Sequence, residues 1–149
     1  MKWGSRFNSF LFLDNHSYEG KWNRIEWLAA VDAIDVFSAT ANGHALQHWQ
    51  QFLNKWQGHW QFGHLGYDLK NEIEPGLASI HQDHIGFADL GFFVPKWVIC
   101  GMGDVVESIC QQDGCVPDEI FNQITKTDAA FNQETGPKVH FSASLSRSD

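Results

Sequence analysis

Three carboxylates within residues 63–74, GHLGYDLKNEIE, are the first candidates for chemistry: Asp68, Glu72 and Glu74. Asp68 and Glu72 are four residues apart, so they share a face if this segment is helical. Two carboxylates on one face can bind a metal ion, or can act as a general acid and a general base. A simpler interpretation is structural: Asp68 caps a helical turn, and Lys70 pairs with Glu74. We favour the structural interpretation.

The eight histidines make a metal site the second candidate. His81 and His84 bracket Asp83 in HQDH, and His59 and His64 lie on either side of an aromatic segment. Zinc sites usually need three or four ligands whose spacing is fixed by a rigid element. Because HQDH falls in a predicted loop without a cysteine pair, we expect solvated histidines and no metal. A small metal-dependent hydrolase that uses HQDH and the acidic turn is the weaker alternative.

Neither the serines nor the cysteines form a recognisable nucleophile motif. The chain has no glycine-flanked serine elbow, and GMG at residues 101–103 is an isolated G-x-G. Cys100, Cys110 and Cys115 are odd in number and lack metal-type spacing, which predicts free thiols in a reducing cytoplasm. A disulfide between Cys110 and Cys115 is a minor alternative. We therefore expect no nucleophilic catalysis by these serines and cysteines.

The elements that position these residues follow from hydrophobic periodicity. Predicted strands cover residues 7–13, two stretches within 25–41, and residues 60–67, 90–100 and 105–110, and the tail KVHFSASLSRSD alternates as a last strand. Predicted helices are an amphipathic one at 44–56, a short turn at 68–74, and one that begins at Pro117. Residues 78–87 form a predicted loop, and Pro95 is expected at an edge or a bulge. The helices fall between groups of strands, which favours an α+β domain with a mainly antiparallel, sandwich-like sheet.

Length and composition set limits on function. The 149 residues are 43% hydrophobic and 19% charged, as in a single folded domain. The formal charge of −8 repels phosphate backbones and anionic lipids, so we expect no nucleic-acid partner. The first apolar run, residues 10–13, is too short for a signal peptide, and no later run is long enough to span a membrane. We therefore expect a cytoplasmic protein without a membrane partner.

Four segments in order resemble one enzyme family. GHLGYDLKNEIE resembles the signature of the large subunits of chorismate-utilising enzymes, aminodeoxychorismate synthase component I and anthranilate synthase component I. The signature positions here are Gly66, Tyr67, Asp68 and Glu72. FLDNHSYEGKWNRIEWLAA and ADLGFFVPKWVI are similar to two further segments, the latter with Ala88 in a proline position, and SLSRSD resembles the entry to the chorismate-binding domain. The GYDL form is closer to the aminodeoxychorismate enzymes.

The resemblance implies a non-catalytic role. Residues 1–144 correspond to the family's N-terminal domain, the N-terminal lobe of the fold, and residues 145–149 to the start of the connection to the chorismate-binding domain. That catalytic domain is absent here, and it is expected to carry the magnesium. The whole enzyme would convert chorismate to 4-amino-4-deoxychorismate for p-aminobenzoate and folate, with ammonia from a glutamine amidotransferase subunit. We expect this chain to be inactive alone.

The resemblance also implies a tryptophan pocket, regulatory in the anthranilate branch. Its positions here are Leu13, Asp14, Asn15, Trp22, Asn23, Arg24 and Ile25. An arginine can pair with the carboxylate of an amino acid, and a tryptophan and an isoleucine can cover an indole ring. The family's serine is replaced by Asn15, whose longer side chain fills more of the pocket. The alternatives are that these residues only close a strand turn, or that the chain is a free-standing aromatic amino-acid binding module.

Overall fold

The computed structural model describes residues 4–16, 18, 24–74, 76–77 and 86–131. Its five strands form one antiparallel sheet. The strands are β1 (Phe10–Asp14), β2 (Trp27–Ala39), β3 (Phe62–Leu65), β4 (Leu90–Met102) and β5 (Val105–Cys110). The helices are α1 (Ala45–Lys55), α2 (Lys70–Ile73) and α3 (Pro117–Phe131). The predicted α+β class with an antiparallel sheet is confirmed.

Two long strands organise the sheet. β2 and β4 pair along their length, and β1 extends the sheet beside the first half of β2. The other edge of β4 is shared, since β3 pairs with residues 90–93 and β5 with residues 97–102. The hairpin predicted around GMGD is confirmed, because β4 turns through Gly103 and Asp104 into β5. The sheet therefore has two halves that meet near the middle of β2 and β4.

A bulge in β2 marks the junction of the two halves. Asp32 has a φ of 61°, and the pairing register shifts between Ala33 and Asp35, opposite Pro95. The prediction of two strands within residues 25–41 is therefore wrong. β4 offers a continuous partner, so the irregular point becomes a bulge within one bent strand rather than a break. The expected place of Pro95 at a bulge is confirmed.

The helices cover different parts of the sheet. Ile120 of α3 is fully buried in a cluster that includes Val31, Trp97 and Ile99, in the half formed with β1 and β5. α1 lies on the other half, where buried Ala45 is clustered with Leu90. Both amphipathic helices predicted from the sequence are confirmed. α1 is the element that the acidic segment contacts.

Two of the cysteines are joined. Cys110 ends β5 and the following turn returns the chain, so that Cys110 and Cys115 form a disulfide with Cα atoms 6.2 Å apart. The prediction of free thiols is therefore wrong for this pair and right for Cys100, which is buried. Burial raises the pKa of the Cys100 thiol. Within the described ranges, no helix has the length and apolar character needed to cross a membrane. HQDH and the last strand predicted in the tail KVHFSASLSRSD lie outside the described residues.

Candidate functional site

The signature segment follows β3 and forms a short helical turn, as predicted. The backbone N–H of Gly66 donates to the Asp89 carbonyl at 2.6 Å, which fixes the point where the chain leaves the sheet. A Cβ atom at Gly66 would lie 3.1 Å from the Asp89 backbone, so a side chain there would crowd the residue that precedes β4. A 3₁₀ turn at Tyr67–Leu69 then leads into α2, and buried Leu69 packs with Ala45. The turn is thereby held against the start of α1.

Glu72 caps α1 from 26 residues away along the chain. Its Oε1 accepts the backbone N–H of Leu46 at 2.9 Å, and its Oε2 accepts those of Ala45 and Gly43, each at 3.2 Å. Among the described contacts, the residue before the helix, His44, makes no side-chain cap of its own. Glu72 therefore satisfies donors that the first turn of a helix leaves open.

The same contacts set the charge state of Glu72. The hydrogen bond from Leu46 is the largest cause that lowers the pKa of Glu72, those from Ala45 and Gly43 add to it, and partial burial opposes them. A general acid at neutral pH needs the opposite, a raised pKa. Both carboxylate oxygens of Glu72 also already accept hydrogen bonds. The geometry assigns Glu72 to the structure of the domain.

Asp68 does not cap the turn, contrary to our prediction. Its Oδ1 lies 2.8 Å from Nζ of Lys70, and this Nζ also lies 4.5 Å from the centre of the Tyr67 ring. The prediction failed because the 3₁₀ turn begins at Tyr67, which places Asp68 inside the turn instead of before it. The predicted Lys70 and Glu74 pair is wrong as well, because Lys70 contacts Asp68 instead.

Asp35 binds the C-terminal end of α1. Its Oδ2 accepts hydrogen bonds from Nζ of Lys55 at 2.7 Å and from Nε1 of Trp56 at 2.8 Å. The bond from Lys55 is the largest cause that lowers the pKa of Asp35. Neither Asp35 nor the role of Glu72 was predicted from the sequence, because each side chain contacts residues that are distant along the chain. One feature of the sequence does indicate that α1 needs a cap from elsewhere. α1 is strongly amphipathic, but the residue before it is a histidine, which is not a usual capping residue.

The described parts of the two predicted pocket segments flank the end of the β1–β2 hairpin. Asp14 pairs with Trp27, and the Asn15 N–H donates to the Glu26 carbonyl at 2.9 Å. Leu13 pairs with Leu28, four residues beyond Arg24, so the strand pairing does not set Leu13 opposite Arg24. Two of the predicted pocket residues, Trp22 and Asn23, lie outside the described residues.

Local contacts dominate the described part of this hairpin end. The Asn15 side-chain amide donates to the Tyr18 carbonyl at 3.4 Å, and the Tyr18 N–H donates back to the Asn15 carbonyl at 3.0 Å. Asp14 Oδ1 accepts the His16 N–H at 3.0 Å. Leu13 is 53% exposed, and Ile25 packs against the apolar cluster under the hairpin. The polar groups thus close a turn, while Leu13 faces solvent.

A separate trough of about 410 Å³ lies on the sheet. Strands β1 to β4 all contribute to its lining, which includes Val36, His64, Gly91 and Phe93. The His64 ring lies over Gly91, where a Cβ atom would come 2.5 Å from it, and His64 Nε2 bonds the Ala88 carbonyl at 3.0 Å. The trough is mainly apolar, and sequence analysis did not identify it.

The grouping of ionisable side chains gives no further chemical centre. In the part of the chain that the structure describes, no group of three or more His, Cys, Asp or Glu side chains could hold a metal ion. Comparisons with protein-family models, with curated proteins and with solved structures find no match to this chain. A functional assignment must therefore be based on the residues and contacts of this chain.

Proposed function

We propose that the chain is the non-catalytic N-terminal domain of a cytoplasmic enzyme similar to aminodeoxychorismate synthase component I. The whole enzyme would aminate chorismate to 4-amino-4-deoxychorismate, for p-aminobenzoate and folate. In this proposal the domain has the fold of the enzyme's N-terminal lobe and packs against a C-terminal chorismate-binding domain that carries the magnesium. A glutamine amidotransferase subunit would supply the ammonia.

The role of Glu72 is the observation that carries this proposal. The signature segment supplies the resemblance, and its glutamate binds backbone N–H groups of α1 through both oxygens. Asp68 pairs with Lys70 in the same turn. Carboxylates engaged in this way maintain a scaffold, which supports a domain that holds a catalytic partner in place without performing the reaction.

Activity assays on two chain lengths test the proposal. The 149-residue chain and a version continued through the following chorismate-binding domain are each given chorismate, ammonia and magnesium, and both anthranilate and aminodeoxychorismate are measured. We expect aminodeoxychorismate from the longer chain alone. Turnover by the 149-residue chain would contradict the non-catalytic role. Production of anthranilate by the longer chain would indicate an anthranilate synthase component I instead.

A matched variant separates scaffold from catalysis. In the longer chain, Glu72→Gln should lower the melting temperature while leaving the turnover of the folded enzyme close to that of the wild type. A large loss of turnover at unchanged stability would contradict the structural role of Glu72.

Tryptophan binding at the hairpin end is a second candidate function. The bond between Asn15 N–H and the Glu26 carbonyl supports it, because this bond joins Asn15 to the residue that follows Ile25. Arg24 is exposed and could pair with a ligand carboxylate. Calorimetry with tryptophan tests this function: heat of binding that Arg24→Ala removes would support a sensor, and no heat would leave the scaffold role alone.

A further inference from the structure

The loop between Cys110 and Cys115 links three parts of the fold. It follows β5 directly, and α3 begins two residues after it, at Pro117. Both cysteine side chains pack against the buried cluster that contains Trp97 and Ile120. The disulfide between them closes this short loop. A constraint on the conformation of this loop therefore also restricts the position of Gln111, its first residue.

Gln111 fills a gap in the sheet. β3 pairs with β4 as far as Phe93 and β5 pairs with it from Trp97 onward, so in the described part of the sheet no strand pairs with the β4 edge between them. The Gln111 backbone N–H donates to the Lys96 carbonyl at 2.9 Å, and its Nε2 donates to the Pro95 carbonyl at 2.8 Å. The backbone and side chain of Gln111 thus take the place of the missing strand at this point.

The same side chain holds the segment before β3. Gln111 Nε2 donates to the Trp60 carbonyl at 3.1 Å, while Oε1 accepts the Trp60 backbone N–H. Trp60 is 43% exposed and its ring stacks on Phe62, the first residue of β3. Among the described hydrogen bonds, those of the Gln111 amide are the ones that link Trp60 to β4.

We propose that Cys110 and Cys115 form a reversible thiol–disulfide site whose oxidation state controls the attachment of Trp60 to the sheet. Oxidised, the closed loop restricts Gln111 to the position that bridges Trp60 and Pro95. Reduced, the loop gains conformational freedom, and each Gln111 bond must be made at a greater entropic cost. Trp60 and the start of β3 then open more often.

The exchange reaction needs a small thiol as reductant. Its thiolate attacks one protein sulfur, a mixed disulfide forms, and the other cysteine leaves as a thiolate that takes a proton from water. A second small thiolate then attacks the small-molecule sulfur of the mixed disulfide, which releases the first cysteine. One protein disulfide is thereby reduced to two thiols, and two small thiols are oxidised to one disulfide. The intervening residues Gln112, Asp113 and Gly114 are exposed, so the loop lies at the surface.

Amide hydrogen exchange of the Trp60 N–H, measured by NMR on the full chain, tests the proposal. The air-oxidised protein is compared with the same protein in excess dithiothreitol. We expect exchange at Trp60 to become about tenfold faster on reduction, the change that loss of one hydrogen bond would cause. Exchange at Val98, in the centre of β4, should stay unchanged. Equal exchange at Trp60 in the two states would overturn the proposal.

Labelling and variants complete the test. Alkylation after unfolding should label one cysteine of the oxidised protein and all three of the reduced protein, and three labels without reductant would overturn the proposal. In Gln111→Ala, Trp60 should exchange quickly in both redox states. A persistent tenfold redox effect in that variant would show that the coupling does not act through Gln111. Cys100→Ser serves as the matched control and should keep the redox effect.

Discussion

The signature turn and the end of the β1–β2 hairpin are both short polar segments that follow a strand, yet they use their side chains differently. In the signature turn, Glu72 reaches across the fold to the first turn of α1. At the hairpin end, Asp14 and Asn15 bond to His16 and Tyr18, within three residues along the chain. One segment joins two elements of the domain, whereas the other closes its own turn.

This contrast separates structural carboxylates from groups that are open to a ligand. A carboxylate that satisfies buried or partly buried N–H groups is costly to remove, because those donors lose their partner. A surface group that closes a turn costs little to remove and can still meet a ligand. The proposed scaffold role therefore depends on Glu72, and any binding role depends on the hairpin end.

Removing the Glu72 carboxylate should have the largest effect. Glu72→Ala leaves the N–H groups of Gly43, Ala45 and Leu46 without their acceptor, so we expect the free energy of unfolding to fall by about 2 kcal/mol. Urea denaturation monitored by circular dichroism measures it. Glu74→Ala, an exposed carboxylate in the same segment, is the matched control and should change stability by less than about 0.5 kcal/mol. Equal losses in the two variants would mean that the cap contributes nothing.

The cap should also depend on pH. Because the folded protein lowers the pKa of Glu72 below its ordinary value of 4.5, the unfolded chain binds protons more readily as the pH falls. The stabilisation by the Glu72 carboxylate is complete at pH values above the pKa of Glu72 in the unfolded chain. It is lost as the pH falls through the lower pKa of Glu72 in the folded protein. We expect Glu72→Gln to be less stable than the wild type by about 1 kcal/mol at pH 6.

The stability difference between the wild type and Glu72→Gln should shrink as the pH falls from 6 through the ordinary pKa of a glutamate toward the lowered pKa of folded Glu72. The pKa of Asp35 is also lowered, chiefly by the hydrogen bond from Lys55, but Asp35 is present in both proteins and its contribution cancels in the difference. Urea denaturation across this pH range measures the effect. A difference that stays constant across the range would contradict a charged cap.

Asp68→Ala should be milder than Glu72→Ala. Asp68 pairs with Lys70 at the surface, and such pairs contribute about 0.5 kcal/mol or less. The same denaturation assay applies, with high salt as a control, since salt screens an exposed ion pair but affects a hydrogen-bonded cap less. A loss near 2 kcal/mol, insensitive to salt, would show that Asp68 acts as a cap after all.

Periodicity was sufficient to predict α1, β4 and β5. The stripe of apolar residues in α1 and the paired runs of β4 and β5 are local patterns, and each was found at nearly its observed bounds. The bend in β2 was misread as a break because the sequence of one strand does not show that a second strand pairs with it throughout. Only the pairing with β4 makes it one strand.

The site was harder to predict than the fold because its contacts are distant in sequence. Asp68 lies where a cap is expected, but the turn begins one residue earlier and Asp68 pairs with Lys70 instead. Glu72 reaches Leu46 only because Leu69 packs against Ala45 and brings α2 to the start of α1. The Cys110 and Cys115 pair was predicted only as an alternative, since spacing alone does not determine whether a turn brings two thiols together.

The smallest change in stability is expected at the hairpin end. Arg24 is exposed, so Arg24→Ala should alter the free energy of unfolding by less than about 0.5 kcal/mol. The informative measurement is therefore made with ligand: if tryptophan raises the melting temperature of the wild type, Arg24→Ala should abolish that rise, while Lys70→Ala should keep it. A rise that survives in Arg24→Ala would place the ligand elsewhere. The hairpin end would then not be the ligand site, whereas the structural role of Glu72 would be unaffected.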